Sequence, residues 1–447
     1  MRAWSMIDLV IQGGTVVPMV TNGEYFSGDV LIDGGKILEI RRHQTDEIPA
    51  RQTINASEAL VVPGFVQCHV HVVQSLLRHQ ADGLELLDWL QTRTWPYEAA
   101  LDGDGVQAAA ELGIAELLCG GTTTVMDFGT THNHDRVFRV AEELGIRMIS
   151  GKTHMDDGEG LPPALAEDRH DSVAEAADLG RRWHGAADGR LQYAVAPRFA
   201  LSCTKGLLED CVALARSNGW LLQTHASESI GEIEEVRRRF NRTNIDYLHS
   251  VGLTGSDVVL AHGVHLNDEE KQRLAKTGTR ICHCPGANLK LASGIADVPG
   301  LLDLGISVGL GADGAPCNNR LSIFHEMALA GSLHALRHGP TALDAWSILA
   351  MATREGARAL HLEDTVGTLE PGKAADITVV GLDAWSLQPD GNPASRLVFG
   401  ATAGDVRHVV VDGSPVVKDG IILTRSGHTI KEHAREAWHA TRHRMET

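Results

Sequence analysis

The chain has 447 residues, and 58 Asp+Glu against 40 Lys+Arg give a formal net charge of −18. That acidic balance argues against nucleic acid or an anionic membrane as the main partner, because binding there needs a Lys/Arg surplus. The balance of 43% hydrophobic and 22% charged residues is that of a globular protein with a substantial core, and seven scattered cysteines fit a reducing cytoplasm, not a disulfide framework.

At the N-terminus Asp8 and Gln12 interrupt the apolar residues, so no signal-peptide core is expected. No apolar run approaches the ~18 residues of a membrane span. Residues 7–62 read as short strands: Leu9-Val10-Ile11, Asp29-Val30-Leu31-Ile32 and Lys36-Ile37-Leu38, with Gly and Asp at the turns. From about residue 64 strand-like runs alternate with helical stretches. Val125-Met126-Asp127 precedes a predicted helix over 135–144, Tyr193-Ala194-Val195 one over 205–217, Trp220-Leu221-Leu222 one over 230–239, and Val258-Val259-Leu260 one over 267–276. Ile306–Leu310 closes the series. About eight such units predict a parallel (β/α)8 barrel of the α/β class over 64–365. Strand texture returns at 376–380 and 406–411, so 1–63 and 366–425 are expected to pair into one small β-sandwich, followed by a surface or inter-subunit helix over 426–447.

Within this frame, His69-Val70-His71 puts two imidazoles two residues apart, on one side of a strand. Alone, such a pair serves equally as two loop histidines on the surface. Three more strand ends carry suitable groups: His225 after Trp220-Leu221-Leu222, His262 after Val258-Val259-Leu260-Ala261, and Asp313 after Val308–Ala312. A barrel brings all of them to its C-terminal mouth. Three imidazoles and a carboxylate, His69, His71, His225 and Asp313, suit one divalent ion, Zn²⁺ or Fe²⁺, with a position left for water. Cys282 and Cys284 could chelate, but small buried cysteines are the commoner use of such residues.

Taken together, several motifs carry a resemblance. They are Pro63-Gly64-Phe65 with His69-Val70-His71, Gly121-Thr122-Thr123-Thr124, His225-Ala226-Ser227-Glu228, Ala261-His262-Gly263-Val264-His265, His283-Cys284-Pro285 with Lys290–Gly294, Gly311-Ala312-Asp313-Gly314, and Pro371–Asp376. The chain resembles the amidohydrolase superfamily, in the branch of cytosine, guanine and S-adenosylhomocysteine deaminases and s-triazine hydrolases. The resemblance implies a mononuclear site with His69, His71, His225 and Asp313 as ligands. It implies that Glu228, one helical turn after His225, passes a proton to a ring nitrogen. It further implies that His262 orients the nucleophile and that Asp313 also takes the proton from water. A metal lowers the pKa of water from ~15.7 to about 7, so the implied reaction is hydroxide attack on a ring carbon with loss of ammonia.

For the substrate, Gln74 and Arg198-Phe199 resemble the ring-reading positions of guanine-type deaminases. The segment Asp82–Leu90 looks more like the nucleoside deaminases, in which an acid before the Trp binds ribose; by position that acid is Asp88, which reads equally as an exposed helix charge. Gly83 stands where many of these have an acid, and Lys152 where some have Arg. His283 is expected in the pocket wall. The implied partner is a small amino-heterocycle: an adenine-type nucleoside, with a free base or a triazine as the alternative. A homo-oligomer, dimer or tetramer, is implied too. An inactive scaffold of the same fold would have lost ligands, and here His69, His71, His225, Glu228, His262 and Asp313 are all present.

Overall fold

The computed structural model describes residues 6–44 and 48–446, so residues 1–5 of the stretch read for a signal peptide lie outside the described residues. Eight parallel strands form a barrel. They are β1 (Phe65–His71), β2 (Thr122–Asp127), β3 (Arg147–Ser150, resuming at Thr153–His154), β4 (Leu191–Pro197), β5 (Leu221–Ala226), β6 (Val258–His262), β7 (Arg280–His283) and β8 (Val308–Leu310, resuming at Asp313–Gly314). Each is hydrogen-bonded to the next in chain order. They are buried along nearly their whole length, which is why they read as apolar runs without alternation.

Closure falls to the broken eighth strand. Its first piece pairs with β7, Val308 opposite Ile281, and its second with β1, Asp313 opposite Val70 and Gly314 opposite His71. Gly311 stands at the break because β1 passes too close for a side chain; a Cβ there would lie 2.4 Å from the His69 carbonyl oxygen.

The intervening helices follow the apolar spacing. Asp135–Leu144, Lys205–Asn218, Ile230–Phe240 and Asp268–Thr277 each end on a left-handed residue: Gly145, Gly219, Asn241 and Gly278. Three of them start on a side-chain cap, from Thr204, Ser229 and Asn267.

A second, nine-stranded sheet takes strands from both ends of the chain. Its centre is the antiparallel pair Ala59–Pro63 with Ile377–Gly381. Ile7–Val16, Phe26–Asp33 and Lys36–Arg42 extend it on one side, Val406–Val411 and Ser414–Lys418 on the other. Period-2 alternation sends Leu9, Ile11, Val30 and Ile32 to one cluster and Val10 and Leu31 to another.

By contacts the chain divides into two compact units. One gathers the described residues up to Gln67 with Ala115–Thr124 and Ser322–Ser426, the other Cys68–Ile114, Val125–Leu321 and the residues from Gly427 on. In the second unit the terminal helix Gly427–Glu446 buries Ile430, Ala434, Ala437 and Thr441, with Ala434 and Ala437 packed among Tyr97, Ala108 and Ala109. Among the described residues no helix is long and apolar enough to cross a membrane.

Candidate metal centre

Strand ends deliver the polar groups. His69 and His71 close β1, His225 is the next-to-last residue of β5, His262 ends β6, and Asp313 opens the second piece of β8. His262 and Asp313 both take left-handed backbone, φ 76° and 60°, a conformation that costs energy for any residue with a Cβ.

The side chains converge. The ligand atoms of His69, His71, His225 and Asp313 all lie within 4.8 Å of one another, as do those of Glu228, His262 and Asp313. Asp313 Oδ1 is 3.4 Å from His69 Nε2 and 3.3 Å from His71 Nε2, and His71 Nε2 is 3.2 Å from His225 Nε2. His225 Nδ1 is 2.7 Å from the Arg198 carbonyl oxygen, which can only accept, so Nδ1 carries the proton and Nε2 offers a lone pair. Burial holds His69, His71 and His225 below the ordinary imidazole range, hence neutral. Burial alone would raise the Asp313 carboxyl, but the His69 ring and the other imidazoles around it hold it well below the usual carboxylate range.

A cation between these neutral nitrogens and the ionised carboxylate would be held by all four. His69 Nε2 is buried with no hydrogen-bond partner. Three imidazoles and one carboxylate with such unsatisfied atoms fit a divalent ion.

A second group adjoins the first through Asp313. His262 Nε2 is 3.4 Å from Glu228 Oε2 and 3.9 Å from Asp313 Oδ2, while its Nδ1 donates to Asn288 Oδ1 at 2.9 Å. Burial, then the nearby Asp313 and Glu232 charges, push the Glu228 carboxyl well above its ordinary range, so it holds its proton. Glu228 is not on a helical turn after His225, contrary to the expectation. β5 ends at Ala226, Ser227 turns left-handed at φ 53°, and the helix begins only at Ile230. The Glu232 carboxylate, which accepts the Glu228 backbone N–H at 2.6 Å, fixes that turn.

Beside these groups is a cavity whose polar wall includes Gln74 and Arg198 and whose apolar wall includes Leu86, Trp89, Leu90, Phe199 and Leu291. Other residues named from the sequence stand elsewhere. Asp88 is exposed on the short helix Leu86–Trp89, outside the lining. His283 is buried at the end of β7, where its carbonyl accepts the Gly311 N–H, and it does not line the cavity. Lys152 is fully buried but bonded to Glu167 and, at 3.0 Å, to Glu175. Sequence reasoning missed Glu98, which backs Gln74 and Arg198, and gave no role to Asn288, at the end of the His283-Cys284-Pro285 motif, or to Glu232, one of the acids near Glu228; the signal for Glu98 was one acid inside the apolar stretch Trp95–Leu101.

The model of the Amidohydrolase family matches residues 60–416. The chain belongs to the amidohydrolase family. This amidohydrolase is 38% identical over 437 residues to the 5-methylthioadenosine/S-adenosylhomocysteine deaminase of Symbiobacterium thermophilum, covering 97% of this chain and 98% of the relative. It is 37% identical to the 5'-deoxyadenosine deaminase of Methanothermobacter thermautotrophicus, over 88% and 90% of the two chains. Among solved structures, a zinc-bound adenosine deaminase from Xanthomonas campestris superposes with a TM-score of 0.90 at 29% identity, over 98% and 99% of the chains. Triazine hydrolase from Arthrobacter aurescens follows at 0.89 and 25%, over 96% and 99%. Like its named deaminase relatives, this amidohydrolase is a hydrolase acting on C–N bonds.

Proposed function

We propose that this amidohydrolase deaminates an adenine-type nucleoside: adenosine, 5'-deoxyadenosine or a 5'-thioether nucleoside such as S-adenosylhomocysteine. The names of its curated relatives support this substrate class. One observation carries the mechanism: Asp313 belongs at once to the four-donor cluster and to the Glu228–His262 pair. His69, His71, His225 and Asp313 would hold a single divalent cation, Zn²⁺ in this reading. When bound, the cation supplies acidity, so that water beside it ionises near pH 7, about 7 against ~15.7 in bulk.

The remaining work belongs to the chain. Asp313, ionised, accepts the proton of the attacking water through a carboxylate oxygen. Glu228, which keeps its proton, delivers it to the ring nitrogen next to the attacked carbon. His262, its Nδ1–H held by Asn288, keeps Nε2 facing both carboxyl groups and orients the water. A second proton transfer lets the amino group leave as ammonia, and the apolar wall keeps bulk water from the reacting ring. A cytoplasmic homo-oligomer is part of the proposal; seven free cysteines among the described residues support a reducing compartment.

A second reading, deamination of a free base, draws on the placement of Gln74 and Arg198 in the cavity wall while Asp88 is exposed outside it. A coupled ammonia assay on adenosine, 5'-deoxyadenosine, S-adenosylhomocysteine, guanine and an amino-triazine separates the two, with elemental analysis of the same preparation. Ammonia from the nucleosides is the expected result. A metal-loaded preparation that releases none from any of the five would overturn the deaminase reading.

A further inference from the structure

Behind the cavity wall sits a buried carboxylate that the proton transfers leave unused. Glu98 lies on the short helix Trp95–Ala100. Its Oε1 accepts from Gln74 Nε2 at 2.9 Å, and Arg198 reaches it twice, Nη1 to Oε2 at 2.5 Å and Nη2 to Oε1 at 3.3 Å. All three residues are buried. A carboxylate paired with a guanidinium can only accept hydrogen bonds, so Gln74 must face it with its NH₂ group. The Gln74 carbonyl oxygen is thereby turned the other way.

That oxygen has no partner. Gln74 Oε1 is buried and unbonded, and Gln74 lines the cavity. Gly314 leaves it room; a Cβ there would lie 2.0 Å from Oε1. A buried acceptor without a donor is costly, and a ligand N–H would relieve it.

We propose that Glu98 is a positioning residue that fixes Gln74 as a hydrogen-bond acceptor for an N–H of a second amino group on the substrate ring and holds the Arg198 guanidinium in the wall beside it. The inference rests on the deaminase reading and ranks substrates within it, favouring rings that bring a second N–H donor to Gln74. Adenosine brings only the amino group that departs. 2,6-Diaminopurine riboside has the same reacting amino group and keeps a second one, so it is the preferred ring.

Glu98→Gln tests this against wild type on the two nucleosides, with matched metal content. The new amide donates as well as accepts, so Gln74 is free to turn over. Wild type is expected to favour the diamino ring. In Glu98→Gln its KM should rise about tenfold and the preference should fall at least about fivefold, because a polar pocket discriminates by leaving groups unpaired. A merely structural Glu98 would lower the melting temperature and leave the preference intact; unchanged KM and preference overturn the proposal. Glu98→Gln leaves the Arg198 charge buried without its counter-charge, so the double variant Glu98→Gln/Arg198→Gln is measured beside it. With both charges gone, Gln74 still loses its fixed orientation, and the same loss of preference is expected. A preference retained in the double variant also overturns the proposal. Failure of the deaminase reading looks different: wild type then releases ammonia from neither ring, which overturns both.

Discussion

Two buried polar clusters stand at the C-terminal ends of the barrel strands, and they differ in whether their groups satisfy one another. In the His69–His71–His225–Asp313 cluster the ligand atoms converge, the buried His69 Nε2 has no hydrogen-bond partner, and the nearest approach is 3.2 Å between two ring nitrogens. In the cluster at β3, Lys152 is bonded to Glu167 and Glu175, Ser172 Oγ donates to Glu167 at 2.8 Å, and His154 Nδ1 is 2.8 Å from Ser172 Oγ. In the second cluster the buried ammonium meets carboxylates from within the chain. The first is complete only with a cation from outside. Burial and charge alone do not mark a reactive site; unsatisfied convergence does.

The contrast can be broken most sharply at Glu228. Glu228→Gln should keep its metal by elemental analysis while ammonia release falls about 10²–10⁴-fold, the usual worth of a positioned proton donor. Wild-type rates in that variant would remove the proton-transfer role. Lys152→Met addresses the other cluster. It strands Glu167, which burial already raises and the lysine ammonium partly lowers again, and should cost about 3–5 kcal/mol in denaturant unfolding. Metal content and activity per folded molecule should stay at the wild-type level, and loss of metal would erase the distinction.

A smaller and pH-dependent version of the satisfied kind lies on the terminal helix. His433 Nδ1 is 2.9 Å from Glu111 and Nε2 3.2 Å from Asp104. Burial lowers its pKa, but the hydrogen bonds to the two carboxylates outweigh that and leave it above 6.5. A raised folded pKa means the stabilisation is fully present below the unfolded value and is lost as pH rises through the folded one. Wild type should therefore melt above His433→Gln by roughly 1–2 °C near pH 6, and the gap should close at alkaline pH. A gap that widens with pH would contradict the pairing.

Much of the site was legible because strands leave a simple signature. Period-2 spacing put His69 and His71 on one side, and apolar runs marked the ends where His225, His262 and Asp313 stand. Where the chain leaves that regularity, the reading failed for physical reasons. Lys152 lies in the interruption in β3, where alternation no longer tells which way a side chain turns, and its partners come from residues 15 and 23 positions later. Asp88 and Trp89 are neighbours on one helical turn that face different ways, and Trp89 lines the cavity. Glu98 reaches Arg198 across 100 residues, and no local pattern encodes such a pairing. The terminal sheet was legible in its turns and alternation, but not in the order that sets Ala59–Pro63 against Ile377–Gly381.

The interrupted last strand has a consequence for biosynthesis. Asp313 takes its place beside Val70 and His71 only when that strand docks, roughly 240 residues after His69 was translated. Assembly of the hydrolytic centre and completion of the ring are thus the same late, long-range event, of the kind that forms slowly. A nascent or truncated chain ending before Gly311 carries the histidines but not the carboxylate that completes them.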